Sequence, residues 1–96
     1  MLEMPEPIAI ELLGVARVLA RCDWATVSVP GTVSLAQVLR SLAREFPALV
    51  GTALSEEGAL LGGHVLSRNG TDLLRDPAEP IHPGDRLLLL STSAGG

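Results

Sequence analysis

His64 and His82 are the two histidines of the chain and Cys22 is its one cysteine, and together they limit the side-chain chemistry the sequence can support. Neither histidine stands at metal-ligand spacing from a cysteine or a carboxylate set, and one cysteine cannot build a structural zinc site. Cys22 as a nucleophile would need a neighbouring base and an activating environment, neither of which its sequence neighbours supply. Gly62-Gly63 precedes no Lys-Ser or Lys-Thr pair, so a phosphate cradle is not indicated. Asn69-Gly70-Thr71 fits a glycosylation acceptor and, more simply, a turn. The acids are scattered, with no pair placed for general acid/base work. What remains is the terminus itself, Gly95-Gly96, whose backbone carboxylate carries no flanking Cβ.

That carboxylate follows a short run of small residues. If the last strand ends near Leu90, the six residues from Ser91 to Gly96 extend at most roughly 20 Å at ~3.4 Å per residue. Ser91, Thr92, Ser93 and Ala94 are small enough to thread a narrow channel in a partner. Ten glycines in 96 residues make a terminal pair uncommon by chance, although a frayed end that happens to be glycine is the simple alternative.

Composition bounds the rest. Hydrophobic residues make up 47% of the chain, with one Trp, one Phe and no Tyr, so the core of a single domain must be built from Leu, Val, Ile and Ala. Seven arginines and no lysine against eleven acids give a net charge of −4, and the arginines are dispersed, which argues against nucleic acid as a partner. The start MLEMPEPIAIELLG lacks the basic region, long apolar run and cleavage site of a secretory signal. No apolar stretch approaches the roughly 20 residues needed to span a bilayer. The sequence therefore predicts a cytoplasmic protein that does not use membranes.

Several elements must position the terminus. Residues 1–7, with two prolines and two acids, read as a loose leader. IAIELLG from Ile8 alternates as a strand, Val15 to Ala20 fits either a helical turn or continued extended chain, and ATVSV to Val29 pairs back as a hairpin. Leu35, Val38, Leu39, Leu42 and Phe46 follow helical spacing, with Ser34 and Gln37 placed for a capping box and Pro47 as the stop. Leu49 to Gly63 reads as a loop with at most a short helix or strand. HVLSR forms a strand ending in the Asn69-Gly70 turn, Asp72 to Pro83 with its three prolines is mostly irregular, and Arg86 to Leu90 is the last strand. This order gives an α+β layer pair. Four consecutive leucines on that strand, Leu87 to Leu90, make both of its faces apolar, so something must cover the second face. The occupant is either a partner or, within the monomer, the proline-rich crossing or the Leu49 to Gly63 segment.

The first strand IAIELLG, the helix SLAQVLRSLAREFP, the strand and turn HVLSRNG, and the ending PGDRLLLLSTSAGG together resemble the ubiquitin-like β-grasp sulfur carriers. This is the MoaD/ThiS family of molybdopterin-synthase small subunits and thiamin sulfur carriers. The resemblance spans Ile8 to Gly96, and its specific part is the Gly-Asp turn into a final strand that ends in Gly-Gly. It implies a ubiquitin-like β-grasp domain over residues 8–90, with a mixed sheet of about four to five strands, one main helix on one face, and a flexible tail over residues 91–96. The tail departs from the family in lacking the proline that often precedes the diglycine.

The resemblance also implies a function. A ubiquitin-activating-type enzyme would use ATP to adenylate the Gly96 carboxylate, next to Gly95, and a sulfur donor enzyme would then displace AMP to leave a thiocarboxylate for a sulfur-accepting synthase. The chain would be a protein co-substrate rather than an enzyme, with no cofactor of its own. Molybdopterin is the first expectation for the product, followed by cysteine, thiamin or a sulfur-containing secondary metabolite. Docking would use Leu13, Leu88 and Leu90 on the sheet together with Ser91, Thr92, Ser93 and Ala94. The alternatives are a ubiquitin-like modifier conjugated through Gly96 and a non-catalytic interaction module.

Overall fold

A computed structural model describes residues 6–91 of the chain. Alternation in IAIELL builds β1 (Ile8–Leu13), in which Ile8, Ile10 and Leu12 are fully buried. β2 (Trp24–Val27) pairs with it antiparallel, Ile8 opposite Val27 and Glu11 opposite Trp24, as the hairpin reading requires. The connection between them is helical: α1 (Val15–Ala20) buries Ala16 and leans Leu19 and Ala20 on the core. These three positions have i, i+3, i+4 spacing, which decides for helix over extended chain.

β3 (Val33–Ser34) leads directly into α2 (Leu35–Glu45), whose Leu35, Val38, Leu39, Leu42 and Ala43 are buried. The capping box forms: the Gln37 N–H donates to Ser34 Oγ at 3.2 Å and the Ser34 N–H donates to Gln37 Oε1 at 2.9 Å. The two N–H groups before it are also satisfied, because Leu35 donates to the Glu79 carbonyl at 2.8 Å and Ala36 to the Pro77 carbonyl at 3.0 Å. The proline-rich crossing thus supplies acceptors to the orphan donors of the helix start. The crossing is mostly irregular, as expected, but it also contains two short strands, β5 (Asp72–Leu73) and β6 (Pro80–Ile81), the latter pairing antiparallel with β3.

After a 3₁₀ turn (Pro47–Leu49), the segment to residue 63 folds back on α2 and sends Leu49, Ala53 and Leu54 into the core. Gly58 is buried there at φ +87°, and a Cβ on it would collide with the Ala36 carbonyl oxygen of the helix. β4 (His64–Arg68) then runs into a turn in which Asn69 and Gly70 both have positive φ, 52° and 77°. That geometry joins β4 to β5 as a tight hairpin.

β7 (Arg86–Ser91) completes the main sheet, whose order is β2-β1-β7-β4-β5. It lies between β1, to which it is parallel, and β4, to which it is antiparallel. The sheet is therefore mixed and five-stranded, with α2 on one face. One buried cluster joins Ile8, Ile10, Leu12, Leu66, Leu87 and Leu89 of the sheet to the helix.

Candidate functional site

Alternation along β7 sends Leu87 and Leu89 into the core and leaves Leu88 and Leu90 on the opposite face. The register places their neighbours. Leu90 lies between Leu13 of β1 and Val65 of β4, and Leu88 lies between Glu11 and Ser67. Leu13, Val65 and Leu88 are half-buried, while Leu90 is 36% exposed. The three aliphatic side chains in one row form the apolar part of this face, next to the end of β7. Further back, the Arg86 guanidinium sits 5.3 Å from the centre of the Trp24 ring, across β1, close enough for a cation–π contact.

The two segments that could have covered this face do not. Leu49, Ala53 and Leu54 from one, and Leu74 and Ile81 from the other, all join the inner cluster on the helix side. Among the described residues the second sheet face is open.

The end of β7 is closely held. Ser91 continues the strand one residue past Leu90, opposite His64. On its other side stands Gly14, the residue that starts α1, with φ +67° and room for no Cβ beyond 3.2 Å of Ser91 Cβ. The His64 ring has Nδ1 3.3 Å from the Gly62 carbonyl oxygen, while its Nε2 is buried without a hydrogen-bond partner among the described residues. The sequence candidates thus divide. Leu13, Leu88, Leu90 and Ser91 are brought together on one face and at one strand end, whereas Thr92, Ser93, Ala94, Gly95 and Gly96 lie outside the described residues.

A second cluster escaped the sequence reading. Arg68 donates to Glu79 Oε2 at 2.9 Å and to the Pro80 carbonyl at 2.8 Å, and lies 3.7 Å from Asp72 and 3.9 Å from Asp85. The hydrogen bond to Glu79 raises the Arg68 pKa above its ordinary value, against a smaller opposing effect of burial and with help from the charges of Glu79, Asp85 and Asp72. It ties the β4–β5 hairpin to the crossing that caps α2, a structural task. Asp72, four residues beyond Arg68 across the turn, was the only local signal for it. Among the described residues no group of three His, Cys, Asp or Glu side chains could hold a metal ion. No helix there is long and apolar enough to cross a membrane.

No protein-family model and no curated protein matches the sequence. Solved structures do match the fold. The crystal structure of SAMP1 from Haloferax volcanii superposes with a TM-score of 0.80 at 24% identity, covering 94% of this chain and 99% of that one. The chain has the ubiquitin-like β-grasp fold. The same β-grasp arrangement recurs in the solution structure of small archaeal modifier protein 1 from Methanosarcina acetivorans, with a TM-score of 0.71, 23% identity, and coverage of 98% of this chain and 100% of that one. It recurs again in Urm1 from Trypanosoma brucei, with a TM-score of 0.62 at 17% identity, covering 99% of this chain and 100% of that one. The resemblance expected from the sequence is therefore borne out as a β-grasp fold, its central β7 ending beside an open apolar face.

Proposed function

We propose that this β-grasp protein is a carrier whose Gly96 carboxylate is activated by a partner and converted to a thiocarboxylate. The observation that carries the reading is the position of β7. The central strand of the sheet reaches Ser91, beside the Leu13, Leu90 and Val65 row, and the five further residues of the sequence finish in Gly95-Gly96. A rigid domain with an apolar face next to the root of a small-residue extension suits delivery of a terminus into another protein's active site.

The chemistry follows from the reactivity of carboxylates. A free carboxylate is a poor electrophile, so a ubiquitin-activating-type enzyme would join it to the α-phosphorus of ATP, releasing pyrophosphate and forming an acyl adenylate. The outer sulfur of a donor enzyme's persulfide would then attack the acyl carbon and expel AMP, and a second thiol of the partners would cleave the resulting acyl disulfide, leaving a terminal –COSH on Gly96 and a disulfide between that thiol and the donor's. The partners hold the catalytic groups and the nucleotide, and this chain supplies recognition and the reacting atoms. A synthase accepting the sulfur completes the sequence, with molybdopterin as the first candidate product, ahead of cysteine, thiamin or a secondary metabolite.

A second reading, a modifier joined through Gly96 to amines on other proteins, is favoured by the neighbours named small archaeal modifier protein. Mass spectrometry after incubation with ATP, the activating enzyme encoded in the same genome and a sulfur donor separates the two. A mass gain equal to the replacement of one oxygen by sulfur supports the carrier. Covalent products on other proteins support the modifier, and an unchanged mass without such products overturns both.

A further inference from the structure

α1 breaks several local rules at once. Val18 is 75% exposed and Val15 44% exposed, one turn apart on the side away from the buried Ala16. Arg17, in the last turn of the helix, and Arg21, its C-cap, are both exposed. The ion pairs among the described residues use Arg68 and His82, so neither Arg17 nor Arg21 enters one. Arg21 also closes the helix at φ +60°, a conformation that a residue with a Cβ adopts at a cost. A cation in the last helical turn complements the helix dipole. That does not account for the second arginine or for the outward valines.

These residues border a surface depression lined by Arg17, Val18, Arg21, Cys22 and Asp23, of about 370 Å³. The two guanidinium groups outnumber its one carboxylate, so the ledge is locally positive on a chain of net charge −4. Its location matters as much as its charge. α1 packs against β7, and Gly14, which opens the helix, abuts Ser91, the last described residue of β7. Whatever holds the terminal extension must come close to this helix.

We infer that α1 is a second docking element, whose occupant is an acidic protein surface with an apolar side chain at its centre, belonging to the partner that receives the terminal extension. Carboxylates of that surface pair with Arg17 and Arg21, and its apolar side chain covers Val18 and Val15. The extended contact fixes the direction from which the terminus enters, because the ledge belongs to the helix that starts beside Ser91 and the aliphatic row lies on the sheet. The identity of the partner rests on the carrier reading above; the ledge itself does not.

The test measures binding of the full chain to the activating enzyme of the same genome, by titration calorimetry at low and raised salt. Arg17→Glu with Arg21→Glu is expected to weaken binding by about tenfold or more and to flatten its salt dependence, while Arg17→Lys with Arg21→Lys keeps most of the affinity. Val18→Ser is expected to weaken binding without changing the salt dependence. Thermal unfolding of each variant confirms that the exposed changes leave the fold intact. Charge reversal that leaves affinity within about twofold of the parent overturns the proposal. So does self-association of the parent chain that the reversal abolishes, since the occupant is then a second copy. Arginine-dependent binding without adenylation or sulfur transfer keeps the ledge and defeats the carrier reading, whereas sulfur transfer with arginine-independent binding does the reverse.

Discussion

Gly14 and Ser91 meet where the first helix begins and the last strand ends: a Cβ on Gly14 would lie 3.2 Å from the Cβ of Ser91. The contact joins the β1–α1 corner to the root of the terminal extension. Gly14 has φ +67° and ψ −138°, a region that side chains avoid. Gly14→Ala is therefore expected to destabilise the domain by about 1–3 kcal/mol, measured by chemical unfolding. A Gly14→Ala/Ser91→Gly double variant should recover only the crowding part of that loss, because the backbone strain at position 14 persists. Full recovery would mean that contact, and not conformation, selects glycine.

Neighbouring leucines of β7 separate the core from the outer face. Leu89 is fully buried, so Leu89→Ala removes core volume and is expected to cost about 2–5 kcal/mol. Leu90→Asp, on the open side between Leu13 and Val65, is expected to cost only about 1 kcal/mol while weakening binding to the activating enzyme. Paired unfolding and binding measurements on both variants check the assignment. If Leu90→Asp unfolds the domain, the outer face is part of the fold's support.

Arg68 holds three acidic groups and a carbonyl on a side chain that is only 16% exposed. Arg68→Gln is expected to cost about 1–3 kcal/mol, between the values for an exposed and a fully buried ion pair. The folded-state pKa of Arg68 is raised, so its contribution is fully present below the ordinary guanidinium range and is lost only as pH rises past it. The fall in Tm caused by Arg68→Gln should accordingly be the same at mildly and moderately alkaline pH. A deficit that shrinks across that interval would show that a different group controls the network.

How legible each part was in the sequence follows from its length and its neighbours. α2 could be read to its capping box because eleven residues give a helical period room to repeat and Ser34 and Gln37 are local partners. β3, β5 and β6 have two residues each, too few to show any period; β3 and β6 exist because they find each other across the chain, and β5 because the Asn69-Gly70 turn returns it to β4. α1 was ambiguous because it is apolar both inward, at Ala16 and Leu19, and outward, at Val15 and Val18, which removes the amphipathic signal. Of the site, an alternating strand cannot bury four successive leucines on one side, so two of Leu87 to Leu90 had to face outward, and the family resemblance pointed to Leu88 and Leu90. The Trp24–Arg86 contact was not legible, because it crosses β1 and requires knowing which strands are neighbours.

Removal of Gly96 tests the separation between folding and reaction that the position of β7 implies. The last described residue, Ser91, pairs with His64 on β4 and abuts Gly14, and among the described residues every member of the buried cluster lies at or before Leu89. A chain ending at Gly95 is therefore expected to unfold at the same temperature as the parent, within the ±0.5 kcal/mol typical of changes remote from such features. Its new terminal carboxylate would stop one residue, roughly 3.4 Å, short of the original position. Chemistry at an acyl carbon requires the reacting atoms to approach within about 3–3.5 Å, so a displacement of that size should abolish adenylation while binding through the sheet face persists. Sulfur transfer to the shortened chain would place the reactive group elsewhere, and loss of stability would show that residues beyond Ser91 belong to the fold.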